Sequence, residues 1–381
     1  MRTVLIFEQS LLSTSQTFVA AQASALVSYR PRFAALQPAA PTLPLPAAAT
    51  YLSPRRSVAS RARKAIYDVS GVAPAFHRRL GAADPALIHA HFGPDGAAAL
   101  PIARALQVPL VVTLHGYDIL APDRALARSL GGRLYLSRRR RLWERAAAFI
   151  CVSNFVHAAA LARGFPPEKL VVHYIGVDRA KFSPSPEPRA PVVLFVGRLI
   201  EVKGCEFALR AMARLQAAIP DARLVVIGNG PLRAPLEAMA RDLGVSCDFL
   251  GAQSNDVVRA WMRCARVLCL PSITSRDGTN EAFGIVQLEA QASGTPVVAF
   301  RSGGIPEGID DGVTGALVAE GDVAGLSDAM LRYLRDDELW RAANRHAPQW
   351  VAQRFDLHRQ TAGLERIYDR AVTAGHGTAA A

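Results

Sequence analysis

The chain has 381 residues but only five cysteines, at positions 151, 205, 247, 264 and 269, with no CxxC pair and an odd count. Most lie in apolar, strand-like runs, so reduced buried thiols in a cytoplasmic protein are expected rather than a disulfide frame. Cys264 and Cys269 have no neighbouring histidine with which to build a zinc site. No stretch approaches the about 18 consecutive apolar residues of a transmembrane helix. The opening MRTVLIFEQSLL is broken by Glu8 and reads as a first strand, not a signal peptide. The GxxxxGK[ST] phosphate loop is missing. So is a DxD pair, and Asp310-Asp311 sits in a turn-like DDG that reads as structural. No nucleic-acid motif accompanies the basic residues, so nucleic acid is not an expected partner.

Hydrophobic residues make up 50% of the chain and charged residues 20%, a globular balance, and the length suits two domains. The net charge of +12 is unevenly placed: residues 1–184 carry 23 Lys and Arg against 9 Asp and Glu, so only this half points to an anionic partner. Apolar runs alternate with helical periods throughout. Strands are expected at 4–7, 87–91, 110–114, 149–152 and 170–173. In the second half they are expected at 192–196, 224–227, 247–250, 267–270, 296–299 and 316–318. This alternation implies parallel sheets covered on both faces. Residues 36–85 are rich in Pro, Ala and Arg and suggest irregular helices. The stretch FSPSPEPRAP, Phe182 to Pro191, reads as a linker. The fold class is therefore α/β, with two doubly wound, Rossmann-like domains facing across a cleft. The first spans 1–184 with a C-terminal helix at about 355–381 returning to it, and the second spans 185–354.

Ligands of such sheets bind beyond the C-terminal strand ends, where the second half places its motifs. In LFVGRLIEVKG, Arg198 and Lys203 follow a turn at Gly197. A guanidinium forks onto phosphate oxygens and an ammonium supplies a point charge, although two solvated surface cations would look alike. In IGNGPLR, Gly228 and Gly230 would allow backbone close to a ligand, or simply an ordinary turn. The most informative segment is NEAFGIVQLEAQASG. Glu281 stands in a loop, Gly284 opens a helix, and Glu289 lies two turns inside it. The helix start at Phe283-Gly284-Ile285 is a natural phosphate seat. Carboxylates on both sides suit a nucleotide-sugar, with ribose at one end and hexose at the other. The plain readings are a surface helix charge and a dipole-favoured N-terminal carboxylate. A glycosidase pair would face one bond across about 5–10 Å, whereas eight helical positions rise about 12 Å.

In the first half, His89-Ala-His91-Phe-Gly and Thr113-Leu-His115-Gly-Tyr-Asp118 each close a strand. His89 and His91 are taken to alternate across the strand, which disfavours a metal pair on one face. Structural histidines are the plain reading.

Together GRL…VKG, GNGPL, ExFG[IV]xxxE, GTPVVA and GGIPE resemble the retaining glycosyltransferases of family 4, which have the GT-B fold. The first half joins through HAHFG, TLHGYD and VSNF…GVD, a signature similar to exopolysaccharide enzymes of the colanic-acid and amylovoran type. The resemblance implies that Arg198 and Lys203 bind the donor diphosphate, Glu281 the sugar hydroxyls and Glu289 the ribose. It places the Gly284 and Ile285 amides on the distal phosphate and His115 beside the reacting sugar. Phe283, Gly228 and Gly230 line the same donor site, and backbone around Leu250 to Ala252 would meet the base. His91 and Asp118 are acceptor-side candidates. Relatives carry a Gly-Gly loop after the first strand; here the segment is EQSLLSTSQTF, where Ser13 and Thr17 would offer hydroxyls instead.

The implied reaction is retaining, metal-independent and cofactor-free. It moves a sugar from a UDP- or GDP-sugar to a hydroxyl of a glycan or polyprenyl-diphosphate-linked acceptor, in exopolysaccharide, capsule or lipopolysaccharide assembly. Alternatives on the same scaffold are a nucleotide-sugar isomerase or epimerase, a phosphorylase, or a non-catalytic nucleotide-sugar binder. Arg138 to Arg141, interleaved with Leu134, Tyr135, Leu136 and Trp143, suggest an anionic membrane surface. A surface helix packing Leu134, Leu142 and Trp143 is the alternative. The expected location is cytoplasmic and peripheral on the inner face of the plasma membrane.

Overall fold

The computed structural model describes residues 1–11, 16–38, 45–55 and 57–379, with side chains through residue 375. The backbone divides into two compact units, Met1–Gly176 with Leu357–Ala381, and Val177–Asp356.

The first unit is built on a parallel sheet of β1 (Arg2–Leu11), β2 (Tyr29–Pro38), β3 (Ala49–Tyr51), β4 (Pro85–His91), β5 (Leu110–Leu114), β6 (Ala148–Cys151) and β7 (Leu170–Val172). Their spatial order is β3-β2-β1-β4-β5-β6-β7. The chain winds outward from β1 to β3 and then restarts on the other side at β4, so the order reverses between β1 and β4. Val4 to Phe7 are buried along their whole length because helices cover both faces. The helix Leu357–Ala379 lays Leu364, Ile367 and Tyr368 on the side of the sheet that carries Val4, Leu87 and Val111. Glu365 fixes its register: one carboxylate oxygen accepts the amides of Val27, Ser28 and Tyr29 at 2.8, 2.7 and 3.2 Å.

The strand β2 is a correction to the sequence reading. Residues 36–85 hold the end of β2, all of β3, and two regular helices, Val58–Ser70 and Pro74–Gly81. The segment YRPRFAALQP hides its strand because Pro31 and two arginines occupy its first half. The neighbouring β3 pairs only with Phe33 to Ala35, so Pro31 lies where the outer side is open and its missing N–H costs no ladder bond.

The second unit holds β8 (Ala190–Val196), β9 (Arg223–Ile227), β10 (Cys247–Gly251), β11 (Ala265–Leu270), β12 (Val297–Phe300) and β13 (Gly315–Val318). The order is β10-β9-β8-β11-β12-β13, again parallel, with its reversal between β8 and β11. Along β8, Val193 and Phe195 enter one core while Val192 and Leu194 enter the other, which is why this strand reads as one apolar run. Each of the eleven expected strands forms.

The Pro-rich stretch is fastened to the second unit rather than hanging free. Phe182 lies under the Arg259 guanidinium, Arg263 bonds the Ser183 carbonyl and hydroxyl, and Arg189 reaches the Met262 carbonyl and Thr295 Oγ1. The division between units falls earlier, at Gly176–Val177. Among the described residues no helix is long and apolar enough to cross a membrane.

The arginine run on the helix Leu130–Arg145 is largely committed to the protein itself. Arg138 bonds the Asp68 and Val69 carbonyls, and Arg139 forks onto Asp123 at 2.8 and 3.0 Å. Tyr135 and Leu142 are buried, and Trp143 packs on Phe165.

Candidate active site

In the second unit the candidate residues gather at the C-terminal ends of β8 and β11. After β8 the chain turns at Gly197 and makes a single helical turn, Glu201–Lys203. The Lys203 stem runs past Gly197, within 3.7 Å of where a Cβ there would stand. Its ammonium is paired with the Glu281 carboxylate, and the two side chains are only 18% and 13% exposed. Water screens such a pair weakly. Arg198, one residue past Gly197, is exposed and has no ion pair among the described residues.

Glu281 is held by a polar brace that the sequence reading did not include. Asn280 Oδ1 accepts the Glu281 amide at 2.7 Å and the Ser302 hydroxyl at 2.9 Å. The Asn280 amide donates to Thr274 Oγ1 at 2.8 Å. Glu320 accepts from Ser302 Oγ at 2.7 Å and from the Thr274 amide at 2.8 Å, while the Gly304 amide donates to the Glu281 carbonyl at 2.9 Å. These residues lie on separate loops and follow no period, so only the fold reveals them.

Gly284 has φ 77°, a left-handed conformation that L side chains seldom adopt, and it opens the helix Ile285–Ala292. The first amides of that helix lack intrahelical partners, as a phosphate seat requires. The helix starts late enough that Glu289 stands about one turn inside it, not two. The 12 Å rise therefore does not span the interval from Glu281. Glu289 is partly buried and makes no side-chain hydrogen bond among the described residues. Burial pushes its carboxyl up to about 7, with the Arg259 guanidinium pulling the other way.

Other expected donor-site residues also make contacts within the fold. A Cβ on Gly228 would fall 1.8 Å from the Gly197 carbonyl oxygen, and one on Gly230 would fall 2.3 Å from that of Leu199. The close approach these glycines permit is thus to the neighbouring turn. The Phe283 ring is buried against Phe355. The Leu250 carbonyl accepts the Gln253 side-chain amide at 2.6 Å. Asp311 holds Arg301 at 2.7 Å and the Leu317 amide at 2.9 Å, a turn brace.

In the first unit, the expectation that His89 and His91 alternate across β4 is wrong. Residues two apart on a strand share a face, and their ring centroids lie 4.3 Å apart. His89 is bonded through Nδ1 to the Tyr368 hydroxyl and through Nε2 to Thr113 Oγ1, both at 2.7 Å. His91 Nδ1 meets His115 Nε2 at 2.9 Å. Burial holds all three rings neutral: it lowers His91 to about 3 and, helped by the His91 ring, takes His115 well below its ordinary range. Among the described residues no group of three or more His, Cys, Asp and Glu is placed to share a metal ion.

Asp118 accepts the amides of Gly93, His115 and Gly116 at 2.8, 3.1 and 2.9 Å. Its carboxylate is occupied in joining two loop ends, which makes it a brace for His115. Thr17 begins the helix Thr17–Ser24, and Ser13 lies outside the described residues. Two aromatic neighbours of His115 escaped the sequence reading: Phe18 at 4.9 Å and Phe92 at 4.6 Å between ring centroids. Phe92 has φ 72°, strained for a phenylalanine. The HFG sequence, an aromatic between a strand and a glycine, was the available signal. Asp95 also faces this rim and accepts the Gln9 amide at 3.2 Å, and burial lifts its carboxyl to about 7.

Comparison with known proteins supports a single assignment. Residues 24–181 match the family model described as Glycosyltransferase Family 4, and residues 177–350 match that of Glycosyl transferases group 1. The chain is 30% identical over 335 residues to the GDP-mannose-dependent alpha-(1-6)-phosphatidylinositol monomannoside mannosyltransferase of Mycolicibacterium smegmatis, covering 84% of this chain and 81% of that one. It is 30% identical to the putative colanic acid biosynthesis glycosyltransferase WcaL of Salmonella typhimurium, covering 72% and 69%. The Anabaena HepE structure with UDP and glucose superposes with a TM-score of 0.77 at 21% identity, over 96% of this chain and 99% of that one. The two reversed-order parallel sheets, the strand-end motifs and these matches agree, and the chain belongs to the family 4 glycosyltransferases, with the GT-B fold.

Proposed function

We propose that this enzyme moves a hexosyl group from a UDP- or GDP-sugar to a hydroxyl of a glycan or polyprenyl-diphosphate-linked oligosaccharide, with retention at the anomeric carbon, in exopolysaccharide, capsule or lipopolysaccharide assembly. The observation that carries this reading is the Lys203–Glu281 pair beside the left-handed glycine of the helix start. An ammonium and a carboxylate stand side by side, as the diphosphate and hexose of a donor do. The mycobacterial relative is named for GDP-mannose and the HepE structure contains UDP, so both bases stay in the proposal.

In this scheme the bond from the anomeric carbon to the diphosphate oxygen breaks. Arg198, Lys203 and the amides of Gly284 and Ile285 take up the charge that develops on the departing group. Because these groups belong to the protein, no metal is required. The acceptor hydroxyl attacks on the same face and passes its proton to the leaving phosphate. Glu281 holds the sugar hydroxyls, Glu289 the ribose, and neutral His115 a hydroxyl near the reacting carbon. A cytoplasmic location, peripheral on the inner face of the plasma membrane, fits a lipid-linked acceptor.

The test begins with a thermal-shift screen of nucleotide-sugars, since a bound donor raises the melting temperature by mass action. With the donor so found, nucleotide is released only when an acceptor sugar is added, and EDTA leaves the rate unchanged. Loss of turnover in EDTA would overturn metal independence. An inverted product anomer by NMR would overturn retention.

A further inference from the structure

The helix Val58–Ser70 is inside out. It has a proper start, with Ser57 and Ser60 capping each other's amides, and it ends at left-handed Gly71. Its inward face is polar and well bonded: the Tyr67 hydroxyl donates to the Ala98 carbonyl at 2.8 Å, and Gln37 donates to the Ser60 carbonyl at 3.1 Å. Lys64 joins Gln9 at 3.1 Å and Asp68 at 2.6 Å. Its outward face is apolar. Val58, Ile66 and Val69 are 74%, 63% and 68% exposed, and Val72 just beyond is 62% exposed. At the pitch of an α-helix, Val58, Ala62, Ala65, Ile66 and Val69 fall within one sector of about 100°. A surface helix normally shows the reverse pattern.

Arg61 and Arg63 border this stripe, one on each side, both exposed and neither in an ion pair among the described residues. The helix's one carboxylate, Asp68, is taken by Lys64. Arg138 of the neighbouring helix reaches the carbonyls of Asp68 and Val69, and Arg141, a turn further along, is exposed. The helix Val58–Ser70 is thus apolar at the centre of its outward face and cationic at the edges, and its own carboxylate is turned to Lys64.

We propose that the outward face of Val58–Ser70, with Val72, is the surface by which this protein lies on an anionic lipid bilayer. The apolar stripe enters the acyl boundary while Arg61 and Arg63 reach the headgroups, the arrangement of an interfacial helix. A second copy of the chain fits poorly. A 13-residue helix offers a footprint of about 200 Å², against the roughly 800 Å² per partner of a stable dimer. The surface stands on its own geometry, and only its purpose rests on the proposed lipid-linked acceptor. The arginine run Arg138–Arg141, whose members are partly committed inside the protein, becomes a secondary contributor.

The experiment is co-sedimentation of the full chain with vesicles of phosphatidylcholine alone, and with phosphatidylglycerol added. The protein pellets with the anionic vesicles only, and less as salt is raised. The double variant I66Q/V69Q, altered only at exposed positions, loses partition by about tenfold or more, as does R61E/R63E. Both keep the wild-type melting temperature and nucleotide-sugar thermal shift, so loss of vesicle binding with intact donor binding is specific to this surface. Equal recovery with both vesicle types, or undiminished binding by I66Q/V69Q, overturns the proposal. A concentration-dependent dimer in light scattering that I66Q/V69Q abolishes would also overturn it, replacing the bilayer with a second copy.

Discussion

The rims of the two sheets use polar residues in opposite ways. In the first unit the histidines of the rim are neutral and hydrogen-bonded, and the Asp118 carboxylate is committed. His89, His91 and His115 are buried and uncharged, linked to Thr113, to Tyr368 and to one another, and Asp118 spends its carboxylate on three amides. In the second unit the rim is charged and poised. Among the described residues, Arg198 has no ion pair, Glu289 makes no side-chain hydrogen bond, and the Lys203 and Glu281 side chains pair only with each other. A hydrogen-bonded neutral network fixes geometry before any ligand arrives. Charged groups with few partners keep their interaction energy for an incoming charge. The first rim therefore reads as a preformed wall, and the second as the seat of an anion.

The largest expected effect breaks the second rim. Glu281→Ala and Arg198→Ala should each lower turnover by about 10²–10³, within the range for losing one preorganised charged contact to a transition state. Arg198→Ala should change stability by no more than about 1 kcal/mol, because Arg198 is exposed, whereas Glu281→Ala strands the mostly buried Lys203 ammonium and should cost about 2–3 kcal/mol, so rates are compared at a temperature where each variant is folded. Steady-state rates with the donor from the thermal-shift screen decide it. Wild-type turnover in either variant contradicts the assignment of this rim to the leaving group.

The first rim should break differently, through folding. Asp118→Ala strands the buried amides of Gly93 and Gly116 and frees the turn that carries His115. An unsatisfied buried donor costs about 1–3 kcal/mol, so a loss of about 3 kcal/mol is expected in urea or thermal unfolding. Asp118→Asn, which retains one acceptor oxygen, should lose about half of that. Affinity for the free nucleoside diphosphate should be unchanged in both, since the proposed diphosphate seat is built from residues of the other unit. A folded, wild-type-stable Asp118→Ala protein would show that the carboxylate is not a brace.

The same contrast explains what the sequence disclosed. The placement of candidate residues on one contiguous segment was legible: Glu281, Gly284 and Glu289 share a single loop and helix start, and Arg198 and Lys203 share a single turn. Strands buried on both faces, such as β8 and β5, announced themselves as unbroken apolar runs. The brace of Asn280, Ser302, Thr274 and Glu320 was not legible, because its members come from different loops and none carries a reactive group. Strand β2 was masked by Pro31 and its flanking arginines, which are tolerated only because β3 is too short to reach them. The histidine wall was misjudged through strand period, and that error matters. Sharing a face lets His89, His91 and His115 form one neutral network, which separate faces would forbid.

The smallest and most discriminating expectation concerns Glu289, where the second rim stores unfavourable burial. Its folded carboxyl titrates at about 7 against an ordinary value of 4.5, so the folded state holds the proton more tightly than the unfolded chain. Its contribution to stability is then greatest below about pH 4.5, declines as pH rises and is lowest above about pH 7. Glu289→Gln removes that decline, and at pH 8 the variant should be more stable than wild type by about 2 kcal/mol, allowing for the part of the side chain that water still reaches. Donor binding should move the other way. The ionised carboxylate accepts ribose hydroxyls best, so wild-type affinity should strengthen as pH rises through about 7, while the variant binds about tenfold more weakly with no such slope. Paired thermal unfolding and donor titrations between pH 5 and pH 8 measure both quantities. A variant that keeps the wild-type slope in donor affinity would assign the titration to another group and remove Glu289 from the ribose end of the seat.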